Sequence, residues 1–294
     1  MLKKSFSLLI VLVLMFTFSA CNSKHQTKED SDNKIKVVVS FNAMREFASA
    51  VGKDKIHITT LVNDGTEPHD FEPKVKDLKS MEKAQVFVYN GLKMESWVNK
   101  SLQVVDNKDL VVVDASKGAQ TIITGGETDP HLWLSLKGAE LQTENIKNAL
   151  VKADPDNKNF YERNYEEFIL KLEELFNQYK QKIDSISNKN FVTGHAAFAY
   201  LCRDFGLKQN SIEDIFAEGE PSAKKLGAIT DYCKKNKIRT IFAEDMVSPK
   251  ISKTLANEVD AKVEKIYTLE GKEDNKDFIQ SMTYNLEKIY ESLK

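Results

Sequence analysis

The sequence predicts an α/β fold in two lobes, each a mainly parallel sheet flanked by helices, joined by one long rigid helix. Three observations carry this expectation. From residue 34 onward, short runs rich in valine and isoleucine alternate with helix-like stretches, the pattern of layered α/β structure. The same alternation resumes in the last third of the chain. Between the two lies the most regular periodicity in the sequence. Tyr161, Tyr165, Phe168, Leu172, Leu175, Tyr179, Ile183 and Ile186 recur at spacings of three and four, with no glycine or proline from 156 to 191.

In chain order, the first segment is a targeting signal. Lys3 and Lys4 precede an apolar run over residues 8–18, and Ser19 and Ala20 supply small side chains before Cys21. The run is too short for a comfortable bilayer span. Residues 1–20 read as a signal peptide, and the small residues before a cysteine resemble the lipobox of bacterial lipoproteins, with Phe18 where leucine is usual. Cys21 is then the lipidated residue. Residues 21–33 contain no apolar side chain after that cysteine and read as a flexible tether. The expected location is extracytoplasmic, on the outer face of the cell membrane, held there through lipid on Cys21.

The N-terminal lobe spans 34–153. KIKVVVSF, HITTLV, AQVFVYN and LVVVDAS are its strands, with a helix around AMREFASAVG. Asp154 and Pro155 look like an N-cap and a first-turn proline, opening a linking helix over 154–187 of about 30 residues and roughly 45 Å. Such a helix lying across both lobes resists wide bending, so closure should be modest. The C-terminal lobe, 188–294, takes NFVTG, SIEDI, TIFAE and KVEKIYTL as strands. Two lobes also suit the roughly 270 residues left after cleavage, more than one average domain needs.

Composition narrows the function. Loss of Lys3 and Lys4 with the signal leaves 40 basic and 44 acidic residues, a formal charge of −4. A weakly acidic, mixed-sign surface argues against nucleic acid as a partner. Cys202 and Cys233 sit in helix-like stretches and read as buried free thiols in preference to a disulfide.

The chemistry lies in the histidines, of which there are five. His25 falls in the polar tether and His57 opens a strand. His69 sits in GTEPHDFEP, directly after a strand and between Pro68 and Pro73. His131 sits in DPHLWLS, behind a proline and beside an apolar wall of Leu132, Trp133 and Leu134. His195 ends the strand of NFVTGHAAF. Loops at the carboxyl ends of strands are where open α/β sheets build ligand sites. Three histidines in such loops, spread over both halves, point to one shared transition-metal ion. By the same rule the last strand offers Glu270 as a fourth ligand, with Glu244 and Asp245 as competitors. Three imidazoles and a carboxylate suit zinc in tetrahedral geometry.

GTEPHDFEP, DPHLWLS, FVTGHAAFAYL, EGEPSAKKL and YNLEKIYESL together resemble the metal-specific solute-binding lipoproteins of ABC importers, a family of zinc proteins and manganese-binding, adhesin-like members. The resemblance runs from about residue 34 to the end. It implies two α/β lobes on a rigid helix with the metal between them, places His69, His131 and His195 as ligands, and gives the membrane permease of an ABC importer as partner of a monomer. Manganese members place a glutamate where this chain has His195 and an aspartate near Thr268, so the third imidazole favours Zn2+ over Mn2+. The histidine-rich loop of some zinc members is missing; only GAQTIITGGETD precedes Pro130.

Two other functions compete with metal capture. A metallohydrolase needs an open coordination position and a general base, and no HExxH pair occurs; the chain is expected not to be an enzyme. A surface adhesin with a structural metal site is compatible with the same residues. Imidazole ligands must be deprotonated to bind, so affinity is expected to fall as pH drops toward about 6.5.

Overall fold

Valine-rich runs build the first sheet. In the computed structural model, which describes residues 34–217, 221–244 and 249–294, strands β1 (Ile35–Val39), β2 (Ile56–Thr60), β3 (Val86–Tyr89) and β4 (Val111–Asp114) form one sheet in the order β2-β1-β3-β4, every pair parallel. Because helices cover both faces, the central strands are buried on both sides and read as continuous apolar runs. Val37, Val39, Val86 and Val88 face one core. Val38 and Phe87 face another, with Leu61, Met81 and Trp97. Helices α1 (Asn42–Gly52), α2 (Val75–Glu82) and α3 (Val98–Val104) make the crossovers. The signal peptide, Cys21 and the tether lie outside the described residues, and none of the described helices is long and apolar enough to cross a membrane.

A two-residue hairpin follows, β5 (Ile123–Thr124) and β6 (Glu127–Thr128), turning on Gly125 and Gly126 at φ of +64° and +94°. Two consecutive positive φ values define the tight hairpin turn that a Gly-Gly pair adopts without strain. Helix α4 (Leu136–Ala153) then starts on Ser135, whose hydroxyl accepts the Gly138 amide.

The long helix is present, with a different start from the one the sequence predicts. Asp154 and Pro155 open a single 3-10 turn, Pro155–Asn157, and the α-helix proper, α5, is Lys158–Asp184, 27 residues. Asp154 does not cap backbone amides with its side chain. Its carboxylate accepts instead from Asn157 Nδ2 and from the Tyr161 hydroxyl, both at 2.7 Å. Ile186 lies beyond the helix but still packs against its core.

The second sheet, in the order β10-β9-β7-β8, is also parallel throughout: β7 (Asn190–Thr193), β8 (Lys208–Ser211), β9 (Thr240–Ala243) and β10 (Lys262–Lys265). The strand expected at SIEDI is displaced upstream to Lys208–Ser211. As an edge strand its KQNS sequence carries no apolar run, while Ile212 and Ile215 are buried from the loop that follows. Helices α6 (Ala199–Phe205), α7 (Ala223–Asn236) and α8 (Pro249–Glu258) flank this sheet. The last helix, α9 (Phe278–Ser292), turns back onto α5 and α1. Phe278 meets Phe47 at 4.8 Å and Phe168 at 6.1 Å between ring centroids. The end of the chain is thereby fastened to its first helix. Cys202 and Cys233 are both buried and free, as expected.

Candidate metal centre

Four short loops deliver the predicted residues to one place. His69 comes from the loop after β2, His195 lies two residues beyond β7, and Glu270 follows β10. His131 is carried instead by the turn after the β5–β6 hairpin, immediately before the buried Leu132, Trp133 and Leu134. His69, His131 and Glu270 each present a ligand atom within 4.8 Å of the other two. His195 joins through His131, their Nε2 atoms 3.4 Å apart. His131, His195 and Glu270 are all buried, and His69 is partly so. Buried polar atoms are normally paired, yet His69 Nε2 and Glu270 Oε1 have no hydrogen-bond partner among the described residues. His57 sits in β2 and is not among these residues.

Carboxylates stand behind the imidazoles. Asp129 Oδ1 takes the His131 ring Nδ1 at 2.9 Å and the His131 backbone amide at 2.9 Å. The ring therefore keeps its proton on Nδ1 and turns the Nε2 lone pair toward the cluster. Glu244, the alternative to Glu270 for the fourth place, lies behind His195. Its Oε1 is 3.7 Å from Nδ1 and accepts the His195 amide at 3.3 Å. At 3.7 Å the ring contact is a charge pairing more than a hydrogen bond. Gly194 makes this approach possible, since a Cβ there would sit 2.0 Å from Glu244 Oε2. Asp245, the other competitor, lies outside the described residues. Glu270 Oε2 accepts the Thr268 hydroxyl at 2.8 Å, so Thr268 orients the carboxylate.

Asp129 and Glu67 were not anticipated, though a signal was present. Both begin an acid-Pro-His string, and both carboxylates fold back to accept the amide of the histidine two residues on, at 2.9 Å for Asp129 and 3.3 Å for Glu67. A further network reaches the same turn from the loop between β3 and α3. Glu95 accepts the Asn90 and Gly91 amides at 2.7 and 3.1 Å, and Asn90 Nδ2 donates to the Pro130 carbonyl at 3.0 Å, one residue before His131.

These surroundings separate the three imidazoles. Burial, reinforced by His131 and His195, pushes His69 down to about 2. Burial also lowers His131, against the pull of Asp129. For His195 burial alone would act downward, but Glu244, then Glu270 and Glu67, outweigh it and raise the ring to about 9. Burial and the neighbouring Glu67 charge raise Glu270 to about 8. Without an ion the cluster thus holds a proton on His195, whose Nε2–H faces the His131 Nε2 lone pair. The same separation fits an ion: two donors about 2.05 Å from one tetrahedral centre stand roughly 3.3 Å apart, against the observed 3.4 Å.

Two parallel sheets, a connecting helix and a buried nitrogen-and-oxygen donor set drawn from both halves define a solute-binding protein whose solute can be a single metal ion. The chain belongs to the family described as zinc-uptake complex component A, periplasmic, whose model matches residues 37–292. It is 36% identical over 316 residues to the high-affinity zinc uptake system protein ZnuA of Bacillus subtilis (strain 168), covering 100% of this chain and 99% of that one. Its structure is similar to that of the laminin binding protein Lmb of Streptococcus agalactiae, described as bifunctional with adhesin and metal transporting activity. There the TM-score is 0.83 at 35% identity, covering 89% of this chain and 100% of Lmb. The Zn(II)-bound ZnuA-like domain of Streptococcus pneumoniae AdcA gives a TM-score of 0.78 at 35% identity, covering 88% and 99%.

Proposed function

We propose that this chain captures a zinc ion outside the cytoplasm and delivers it to the membrane permease of an ABC importer, with His69, His131, His195 and Glu270 as the ligands. The observation that carries this reading is the convergence of three imidazoles and one buried carboxylate, with His69 Nε2 and Glu270 Oε1 unpartnered among the described residues, at the meeting of the two halves. Three nitrogen donors and one oxygen favour zinc over manganese, which prefers harder oxygen-rich sets. Membership of a periplasmic zinc-uptake family supports both the cargo and the location. Cys21, by its place after a signal-like run, is the lipid attachment point, and residues 34–153 and 188–294 are the two lobes, joined through 154–187, the segment that contains α5.

Capture is an exchange of charge. Asp129 and Glu244 hold the His131 and His195 rings, Thr268 holds Glu270, and the arriving cation displaces the His195 proton. Carriage rather than catalysis is the role of such a site, with all four ligands contributed by the protein. Competition titration against a chelator, with elemental analysis of protein purified without added metal, tests the assignment. Zinc bound at one per chain, with loss of binding in His69→Ala, His131→Ala and His195→Ala, is the expected result. Preferential manganese content, or hydrolysis of an ester or peptide substrate by the zinc form, would overturn it.

The likeness to Lmb favours a second, additional role in adhesion. Laminin binding retained in the triple histidine variant would make adhesion independent of the ion.

A further inference from the structure

Glu270 stands on a segment from the far end of the chain, yet residues from the first half hold that segment. Asn42, the first residue of α1, accounts for most of the grip. Its backbone amide donates to the Glu270 carbonyl at 3.3 Å. Its side-chain Nδ2 donates to the Leu269 carbonyl at 3.2 Å and to the Gly271 carbonyl at 2.9 Å, the residues on either side of Glu270. The amide cannot be reversed, because Oδ1 accepts from the Arg45 guanidinium, through Nε at 3.2 Å and through Nη2. Trp133 Nε1 donates to the Thr268 carbonyl at 2.7 Å, and Asp64 accepts the Lys272 amide at 2.7 Å. Leu269 is held at φ +58°, a left-handed conformation that leucine adopts only when its surroundings impose it.

We propose that Asn42 is the positioning residue for Glu270, a role that rests on reading Glu270 as a metal ligand. A planar amide with two hydrogens is what two carbonyls flanking one residue require. Serine has a single hydrogen to offer, and an aspartate would set its charge against both carbonyls. Asn42 is 4% exposed, so water does not replace it cheaply. Through this clamp the Glu270 segment is tied to α1, in the half of the chain that also carries His69 and His131.

The test uses the full chain loaded with Co2+, whose visible absorption reports coordination number and ligand type, together with zinc competition titration. The variants are Asn42→Ala, Glu270→Gln, the double variant, and Asn164→Ala as a control. Asn164 is a buried asparagine that donates to the Val51 carbonyl at 2.9 Å, at the opposite end of α1. Asn42→Ala should weaken zinc binding about 10- to 100-fold, the usual effect of losing an outer partner of a ligand. Its cobalt spectrum should move toward that of Glu270→Gln. In the Glu270→Gln background Asn42→Ala should add less than about twofold, because the clamp then has no ligand to place. Asn164→Ala should lower thermal stability and leave the cobalt spectrum unchanged. A wild-type spectrum in Asn42→Ala, or effects that multiply in the double variant, would overturn the proposal. If Asn42→Ala does not fold, the isosteric Asn42→Asp decides by the same spectrum. A Glu270→Gln protein with unaltered spectrum and affinity would refute the ligand assignment itself, and the positioning role with it.

Discussion

Zinc capture at pH 8 should expel close to one proton from His195 alone, and this follows from the carboxylates around that ring. In the metal-free protein Glu244, Glu270 and Glu67 outweigh burial and raise His195 to about 9. At pH 8 such a ring is about 0.9 protonated, whereas three ordinary imidazoles near 6.5 would together carry only about 0.1 proton. Glu270, raised to about 8, adds a further fraction when the cation takes its carboxylate. Since the proton stabilises the metal-free form, acid favours release. The zinc affinity should fall at least about tenfold for each pH unit from 8.5 down to 6.5. Isothermal titration calorimetry at pH 8 in buffers of different ionisation enthalpy gives the proton count directly, as the slope of observed against buffer enthalpy. A release below about 0.3 proton would refute the claim that Glu244 and its neighbours hold His195 charged.

Two further outcomes follow from the same geometry. His195→Glu should weaken zinc binding by at least about tenfold and narrow the zinc-to-manganese affinity ratio, since an oxygen donor replaces the third imidazole beside Glu244; competition titration with both ions measures it, and an unchanged ratio would contradict the donor-set argument. Glu95 is buried, and burial raises it from 4.5 to about 7 despite the Asn90 and Gly91 amides. Its native form keeps a proton that the unfolded chain loses, so the stability it contributes is present below about pH 4.5 and is lost as pH rises through 7. The span corresponds to roughly 3 kcal/mol. Urea unfolding of the metal-free protein at pH 5 and pH 8 should therefore show a smaller pH-dependent loss in Glu95→Gln than in the unaltered chain, and equal losses would contradict the reading.

Much of the candidate site was legible because its residues obey local rules. His69, His195 and Glu270 each follow a strand whose valine and isoleucine content reveals it, and strand ends are where parallel sheets open. What stayed hidden depends on partners far apart in sequence. Asn42 grips residues 227 and 229 positions away, and no pattern within α1 distinguishes it from any polar residue at a helix start. Glu244 competes with Glu270 in the sequence because it too follows a strand; its approach to Gly194 and its place beside the His195 ring appear only in the packing. The edge strand Lys208–Ser211 is polar and gives no apolar signal, so the buried isoleucines just after it drew the expectation downstream. Asp154 resembles a helix cap locally, but Tyr161 and Asn157 compete for its carboxylate and a 3-10 turn takes the place of the first helical turn. The split of the imidazoles into one charged and two neutral rings was equally beyond sequence, since it arises from which carboxylate each ring meets.

Diffraction from crystals of the zinc-loaded protein, recorded on both sides of the zinc absorption edge, tests the four-ligand site most directly. The account predicts one anomalous peak per chain, about 2.0–2.2 Å from Nε2 of His131 and His195, a ring nitrogen of His69 and a carboxylate oxygen of Glu270. A peak held by other residues, or one that leaves His195 or Glu270 uncoordinated, would contradict it.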